Sequence, residues 1–343
     1  MFTNIPWLLY GATGRTGSLI AKAAVARGHR PVLAGRHAEG VRRLAEELEL
    51  KWVAGPATEV GALLGDAPLV LLAAGPFGTT APPVLRACLD AGVHYVDIAN
   101  EIPVAEAALA ADEAARERGI TVLPAAGFGT VASDGLARYV SEQVPDAVAL
   151  ELAILLETDG SSAGARASTR HALSGGGWLR RDGRLVRTRL GAGARHHATP
   201  VGDRTLVPAP TADLVVSART TGIRNITVSV PVSMPPAVAK LAMPALSLLA
   251  KASAKRTPRA TARPTTTGSA ALESHLWARA TAADGQTTEA WSRTGEGYQY
   301  TARAAVLAVE ATLQAEPLGA TTVARAFGPE LSFAAGSELV AAP

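Results

Sequence analysis

Residues 6–17 read Pro6-Trp7-Leu8-Leu9-Tyr10-Gly11-Ala12-Thr13-Gly14-Arg15-Thr16-Gly17, and the unit they open closes at Ala34-Gly35-Arg36. Trp7 to Tyr10 is an apolar run with the character of a buried strand. Gly11, Gly14 and Gly17 follow at even spacing, and Ser18 to Arg27 places Leu19, Ile20 and Ala23 on one helical face. Pro31 to Ala34 forms a second short strand. Strand, glycine loop, helix and strand within about 30 residues is the setting in which a glycine pattern means dinucleotide binding. Gly11 permits the tight turn out of the strand. Gly14 lets a pyrophosphate approach the backbone, and Gly17 lets the helix pack close to the sheet. The helix N-terminus then offers its N–H groups and partial positive charge to the phosphates. Ala12, Thr13, Arg15 and Thr16 complete the predicted phosphate loop.

A site that prefers NAD places an acid at the end of the second strand, to bond the ribose 2′-hydroxyl. This strand ends in Gly35-Arg36-His37, and the first acid is Glu39. Arg36 suits a 2′-phosphate through its planar fork, and Arg15 offers a second contact. The expected cofactor is therefore NADP(H).

The strand pattern continues for another hundred residues. Lys51 to Ala54, Leu69 to Ala74, His94 to Ile98 and Ile120 to Pro124 read as strands. Between them lie helical stretches at Gly40 to Leu48, Thr58 to Leu64, Pro82 to Ala91 and Val104 to Arg118. Continuous apolar runs such as Leu69-Val70-Leu71-Leu72 belong to strands buried on both faces of a parallel sheet. The expected first domain, residues 1–130, is an α/β doubly wound Rossmann sheet.

The pattern then changes. Ser133 or Asp134 is expected to cap a helix running to about Val144. Ala147 to Glu157, Leu214 to Ala218 and Asn225 to Val232 read as strands. Glu273 to Thr281 and Thr287 to Arg293 flank Asp284-Gly285, a hairpin signal. Residues 131–296 are thus expected to form an α+β domain on a largely antiparallel sheet, covering the substrate and pairing two subunits into a homodimer. Residues 297–343, with a helix from Tyr298 to Leu313, are expected to return to the Rossmann domain.

The chain has 343 residues, is 48% apolar and carries a net charge of +3. Its densest basic run, Lys251 to Arg263, lies among Pro and Thr with few aromatics and does not make a nucleic-acid footprint. Cys88 is the single cysteine, which excludes an intrachain disulfide and a Cys-based zinc cluster. His196-His197 has no further ligands at metal-site spacing, so no metal is expected. Pro235 to Ala250 is apolar but is interrupted by Lys240 and Pro244, too short to span a bilayer. It reads as a core or interface helix, with docking on a membrane or a carrier-protein partner as the alternative. The N-terminus enters its first strand at once, without a signal-peptide pattern. The expected location is the cytoplasm.

Several motifs together resemble a known family. They are Gly11 to Gly17, Ala74-Gly75-Pro76-Phe77, Ala87-Cys88 with Ala91-Gly92-Val93-His94-Tyr95-Val96-Asp97, and Gly127-Phe128 with Ser133-Asp134. Gly297-Tyr298, Thr301-Ala302 and Ala326-Phe327-Gly328 add to the likeness. The set resembles the saccharopine dehydrogenase-like oxidoreductases, most strongly the bacterial trans-acting enoyl reductase-like members. The resemblance is dense over residues 8–137, thin over 160–265 and present again over 270–330. Pro76-Phe77-Gly78-Thr79-Thr80 and Gly129-Thr130-Val131-Ala132 depart from the Tyr-Gly and Asp-Ser-Ile-Pro common in relatives, which points to a different substrate. The resemblance implies an NADPH-dependent reductase acting on an activated C=C or C=N bond. Two alternatives stay open: an enoyl reductase on a carrier-bound acyl chain, and a non-catalytic NADP(H)-binding sensor or scaffold.

In an open α/β sheet the ligand lies beyond the carboxyl ends of the strands. Ala74-Gly75-Pro76-Phe77, Asn100 and Gly127-Phe128 occupy such ends, with Gly127-Phe128 as the expected floor between the domains. Proton-donor candidates are Glu101, Asp97 and His171, with His94 and Tyr95 behind them. The mechanism of short-chain dehydrogenases needs a Tyr with Lys four residues later. Tyr10, Tyr95, Tyr139, Tyr298 and Tyr300 are followed at that spacing by Gly14, Ala99, Gln143, Ala302 and Ala304, which argues against it.

Overall fold

The computed structural model describes residues 5–156, 176–253 and 272–343. The chain divides into two compact units, residues 1–131 with 298–335, and residues 132–297 with 336–343.

The first unit is built on seven parallel strands. They are β1 (Leu8–Tyr10), β2 (Val32–Gly35), β3 (Trp52–Ala54), β4 (Leu69–Leu72), β5 (His94–Asp97), β6 (Thr121–Leu123) and β15 (Gly319–Ala320), in the order β15-β6-β5-β4-β1-β2-β3. β1 pairs with β2 on one side and β4 on the other. The strand order reverses there, and in such sheets the crevice that takes a ligand opens at that point. The helices are α1 (Arg15–Ala26), α2 (Ala38–Leu48), α3 (Val60–Leu63), α4 (Phe77–Ala91), α5 (Ile102–Ala110) and α6 (Asp112–Glu117). Leu69 to Leu72 are buried on both faces, as their unbroken apolar run demands. Val70, Leu72, Tyr95, Val84, Val104 and Val122 join one core cluster under α4 and α5.

The helix expected over Val104 to Arg118 is two helices. It breaks at Ala111, whose ψ of 12° leaves the helical range. α4 begins at Phe77, not at Pro82, so Pro82 and Pro83 lie inside the helix.

α7 (Phe128–Glu142) leads out of the first unit. The second unit holds β7 (Ala147–Leu155), β8 (Gly177–Arg181), β9 (Arg184–Thr188), β10 (Arg195–His197), β11 (Arg204–Pro208), β12 (Asn225–Val232), β13 (Ser274–Ala282), β14 (Thr287–Thr294) and β16 (Glu338–Val340). The main order is β10-β11-β12-β7-β13-β14-β16, and every pair but β12–β7 is antiparallel. The expected hairpin stands: β13 and β14 pair in register from Ser274–Thr294 to Thr281–Thr287, with Gly285 at φ +90° in the turn. Its helices are α8 (Asp213–Thr221) and α9 (Pro236–Ser253).

Two expectations here need correction. Leu214 to Ala218 is helical, within α8. Leu214, Val215 and Val216 are all buried, so the run is apolar without alternation, and periodicity alone does not separate a short buried helix from a strand. Ser133 and Asp134 do not cap a helix but lie inside α7. Ser133 bonds Asp213 of α8, and Thr220 donates to Asp134 at 2.7 Å. Burial holds the Asp213 carboxyl above its ordinary pKa.

α10 (Gly297–Gln314) follows β14, with α11 (Val323–Phe327) and α12 (Glu330–Ala334) after it. The extreme tail does not join the first sheet: β16 pairs with β14, Val340 opposite Trp291.

Candidate functional site

The glycine loop is held from beneath by its own strand neighbour. The N–H groups of Gly11 and Ala12 both donate to Ala34 O, at 2.8 and 3.1 Å, and Gly14 N–H donates to Gly11 O at 3.1 Å. Gly11 has φ +96°, and a Cβ there would lie 2.6 Å from Ala74 N. The end of β4 therefore passes against the loop. A Cβ on Gly17 would lie 2.1 Å from Gly11 O. Gly17 thus lets α1 settle on the loop's own backbone, a closer constraint than the expected packing on the sheet.

α1 begins after Gly14 with no side-chain cap and no acid in its first turn. An uncapped helix start beside an exposed Gly14 is a cradle for an anion. Thr13 is exposed next to it, and Ala12 is buried as part of the loop's anchor.

Arg36 is exposed directly beyond β2. It lies close enough to Tyr10 for its charge to offset part of the rise that burial imposes on that hydroxyl. The first acid beyond it, Glu39, accepts from Arg42 at 2.9 Å. The donor set at this strand end is basic, which fits a phosphate.

The β4 end carries Ala74, Gly75, Pro76 and Phe77. Thr80 Oγ1 donates to Ala74 O at 2.5 Å and fixes the turn. A Cβ on Gly75 would meet the Phe77 ring at an ordinary 3.7 Å. Packing within the protein therefore leaves room for a side chain at Gly75. Phe77 packs against the core cluster.

Glu101 is half-buried, and its Oε2 accepts from Gly78 N–H at 2.8 Å, inside the first turn of α4. Its backbone carbonyl also accepts from Val104 and Ala105 as α5 begins. The carboxylate thus neutralises one helix start while its main chain begins another. Asn100 is exposed beside it, against Gly129.

Asp97 is the last residue of β5. It is fully buried, and it accepts from Tyr95 OH at 2.7 Å, Ala99 N–H at 2.8 Å and Ala125 N–H at 2.9 Å. Burial raises its pKa, and these bonds partly offset the rise. It braces the ends of β5 and β6 and is not exposed at the mouth of the sheet. Tyr95 is spent on the same bond. His94 Nδ1 accepts from Thr121 N–H at 2.9 Å, and burial lowers its pKa and favours the neutral ring. His197, in the second unit, packs against Trp277 with the ring centroids 4.4 Å apart and the planes tilted by 58°. His171 lies outside the described residues.

Gly127 and Phe128 open α7. Phe128 N–H donates to Thr301 Oγ1 at 3.0 Å, and its ring meets Tyr300 edge-on at 5.8 Å. Thr301, Tyr300 and Tyr298 all come from α10. The Arg15 guanidinium lies 4.0 Å over the Tyr298 ring. Tyr298 and Thr301 figured in the family resemblance without a role; the structure brings both to the strand ends of the first unit.

Comparison with known proteins bears on this geometry. Residues 7–123 match the family model described as the saccharopine dehydrogenase NADP binding domain. A trans-acting enoyl reductase of Mycobacterium tuberculosis is 30% identical over 138 residues, covering 37% of this chain and 33% of that protein. A human saccharopine dehydrogenase-like oxidoreductase is 26% identical over 151 residues, covering 37% and 35%. The matches span about a third of the length of these curated relatives. Among solved structures, an apo saccharopine dehydrogenase (L-Glu forming) from Saccharomyces cerevisiae superposes with a TM-score of 0.65 at 13% identity, over 99% of this chain and 100% of that one. Residues 7–123 thus match the saccharopine dehydrogenase NADP binding domain, and the chain shares its fold with the yeast saccharopine dehydrogenase.

Proposed function

We propose that this chain is an NADP(H)-dependent reductase that delivers hydride to an activated C=C or C=N bond of a biosynthetic intermediate. The observation that carries the proposal is the pairing of an uncapped, acid-free helix start at Gly14 with an exposed Arg36 beyond β2. Nicotinamide chemistry supplies the hydride once the cofactor is bound. The chain's own task is binding, orientation and exclusion of water. In this reading the backbone around Gly11 to Gly17 takes the pyrophosphate and Arg36 takes the 2′-phosphate. Gly75, Phe77 and Asn100 shape the nicotinamide end. Glu101 sets the start of α4, and Asp97 sets the ends of β5 and β6; both are positioning residues.

The mycobacterial relatives' name supports a finer proposal, that the acceptor is an enoyl group on a carrier-bound acyl chain. The second unit is the proposed substrate and pairing unit, and sedimentation would read the expected homodimer.

The test is NADPH oxidation at 340 nm with enone, enoyl thioester and cyclic imine acceptors, beside direct titration of NADPH and NADH. Turnover with one acceptor class is the expected result. Tight NADPH binding without turnover on any of them favours a sensor or scaffold. Arg36→Ala is expected to weaken NADPH by about 1.5–3 kcal/mol, as for a charged hydrogen bond, and to leave NADH unchanged. Equal losses on both dinucleotides would remove the 2′-phosphate from Arg36.

A further inference from the structure

α1 and α10 keep a constant register. Arg15 meets Tyr298 at one end, and Arg27 meets Glu310 at the other with two bonds of 2.7 Å. Both pairs are separated by 283 positions in sequence. Two helices in contact at equal offsets, twelve residues apart, run side by side in the same direction for about 18 Å. Their N-termini therefore lie at the same end, the end of the glycine loop. α1 also meets α2, through Lys22 and Glu47 at 2.9 Å.

This arrangement bears on Arg15, which the sequence paired with Arg36 as a second 2′-phosphate ligand. Arg15 is the first residue of α1, and its guanidinium is laid on a ring of α10. Arg36 stands beyond β2, at the start of α2. A cation held at the start of α1 lies where a dinucleotide's pyrophosphate meets the helix. The pyrophosphate is common to NADP(H) and NAD(H). Stacking on an aromatic face engages the plane of a guanidinium and directs its N–H fork sideways.

Resting on the dinucleotide reading above, we propose that Tyr298 is a cofactor-positioning residue. Its ring holds Arg15 over the start of α1, so that Arg15 serves the pyrophosphate while Arg36 alone selects the 2′-phosphate. Glu310 and Arg27 fix the register that puts the ring there.

The experiment titrates NADPH and NADH into the full chain by nicotinamide fluorescence. The variants are Tyr298→Leu, Tyr298→Phe, Arg15→Ala and the double variant Tyr298→Leu/Arg15→Ala, each checked for a wild-type melting transition. Tyr298→Leu keeps bulk and loses the π face. It is expected to raise Kd for both dinucleotides by the same factor, about three- to tenfold. Tyr298→Phe keeps the stack and is expected to stay within about twofold of wild type. The double variant is expected to bind no worse than Arg15→Ala, because Tyr298 acts through Arg15. Additive losses, or unchanged binding in Tyr298→Leu, would overturn the proposal while leaving NADP(H) binding intact. A loss confined to NADPH would return Arg15 to the 2′-phosphate and overturn it as well. Wild-type protein that binds neither dinucleotide would overturn the functional reading itself, and this inference with it.

Discussion

Gly17 has no space for even a methyl group, whereas at Gly14 one would be tight but not excluded. A Cβ on Gly17 would sit 2.1 Å from Gly11 O and 3.0 Å from Ala12 Cα, both backbone atoms. A Cβ on Gly14 would sit 3.3 Å from Gly11 O, a close contact that asks for a shift of a few tenths of an ångström. On the proposed dinucleotide reading the two glycines serve different ends, Gly17 the fold and Gly14 the ligand. Gly17→Ala is expected to cost about 1–3 kcal/mol of stability, the range for overpacking, and to abolish NADPH binding with it. Gly14→Ala is expected to melt within a few degrees of wild type and still bind NADPH at least tenfold more weakly. Thermal melts beside NADPH titrations separate the two. A Gly14→Ala protein that binds like wild type would show that no phosphate lies over that position. The spacing of the glycines was legible in the sequence; which neighbour each one serves was not, since the neighbour of Gly11 is Ala74, at the end of another strand.

Elements marked by a local pattern are legible in the sequence, and elements that depend on distant partners are not. β4 shows itself by four consecutive buried aliphatics, and β13–β14 by the Asp284-Gly285 turn between them. The start of α4 does not show itself. Proline at a first helical position is a good local signal, yet the helix begins five residues before Pro82, with Glu101 holding Gly78 N–H from 23 residues away. Ser133 and Asp134 look like caps for the same reason, although their partners are Asp213 and Thr220 on α8. β15 is only Gly319-Ala320, too short for any pattern to mark it. The α1–α10 pair yields a prediction at this scale. Burial raises the Glu310 pKa, but bonds from Arg27 and His29 outweigh it and hold the carboxyl below its ordinary value. A depressed carboxyl stabilises the fold above its unfolded pKa, about 4.3, and the benefit disappears as pH falls through the folded value. Arg27 is half exposed, so Glu310→Gln is expected to cost only about 1 kcal/mol at pH 7. That gap should close below about pH 4 in urea denaturation. A gap that stayed constant from pH 7 to pH 3 would mean that the carboxylate's charge contributes nothing.

At the scale of the molecule, the domain that sequence similarity delimits and the unit that physically holds together differ. The matching family model covers residues 7–123, whereas the compact unit is residues 1–131 with 298–335. Among the described residues no helix is long and apolar enough to cross a membrane, and α10 finds its burial inside the first unit. Tyr300, Ala304, Ala305, Val306, Ala308 and Val309 of that helix are all fully buried. At about 1.5–3 kcal/mol for each large side chain, Tyr300, Val306 and Val309 together approach the ~5–15 kcal/mol net stability of an ordinary domain. The returning segment also supplies the hydroxyl that receives Phe128 N–H, the ring that carries Arg15 and the edge strand beside β6. Residues 1–131 alone are therefore expected to fail as a folded unit, despite containing the whole glycine loop and Arg36. The fragment should bind a hydrophobic dye, lack near-ultraviolet circular dichroism and show no saturable NADPH binding. Rejoining residues 298–335 through a long flexible linker should restore a cooperative melt and NADPH affinity within about tenfold of the full chain. The rescued protein carrying Tyr298→Leu should regain the melt and only part of the affinity, because folding depends on the buried face of α10 and binding on its first turn as well. A fragment of residues 1–131 that melts cooperatively and binds NADPH at full strength would show that the glycine loop needs no partner from the end of the chain. That outcome would sink both the role given to α10 and the role given to Tyr298.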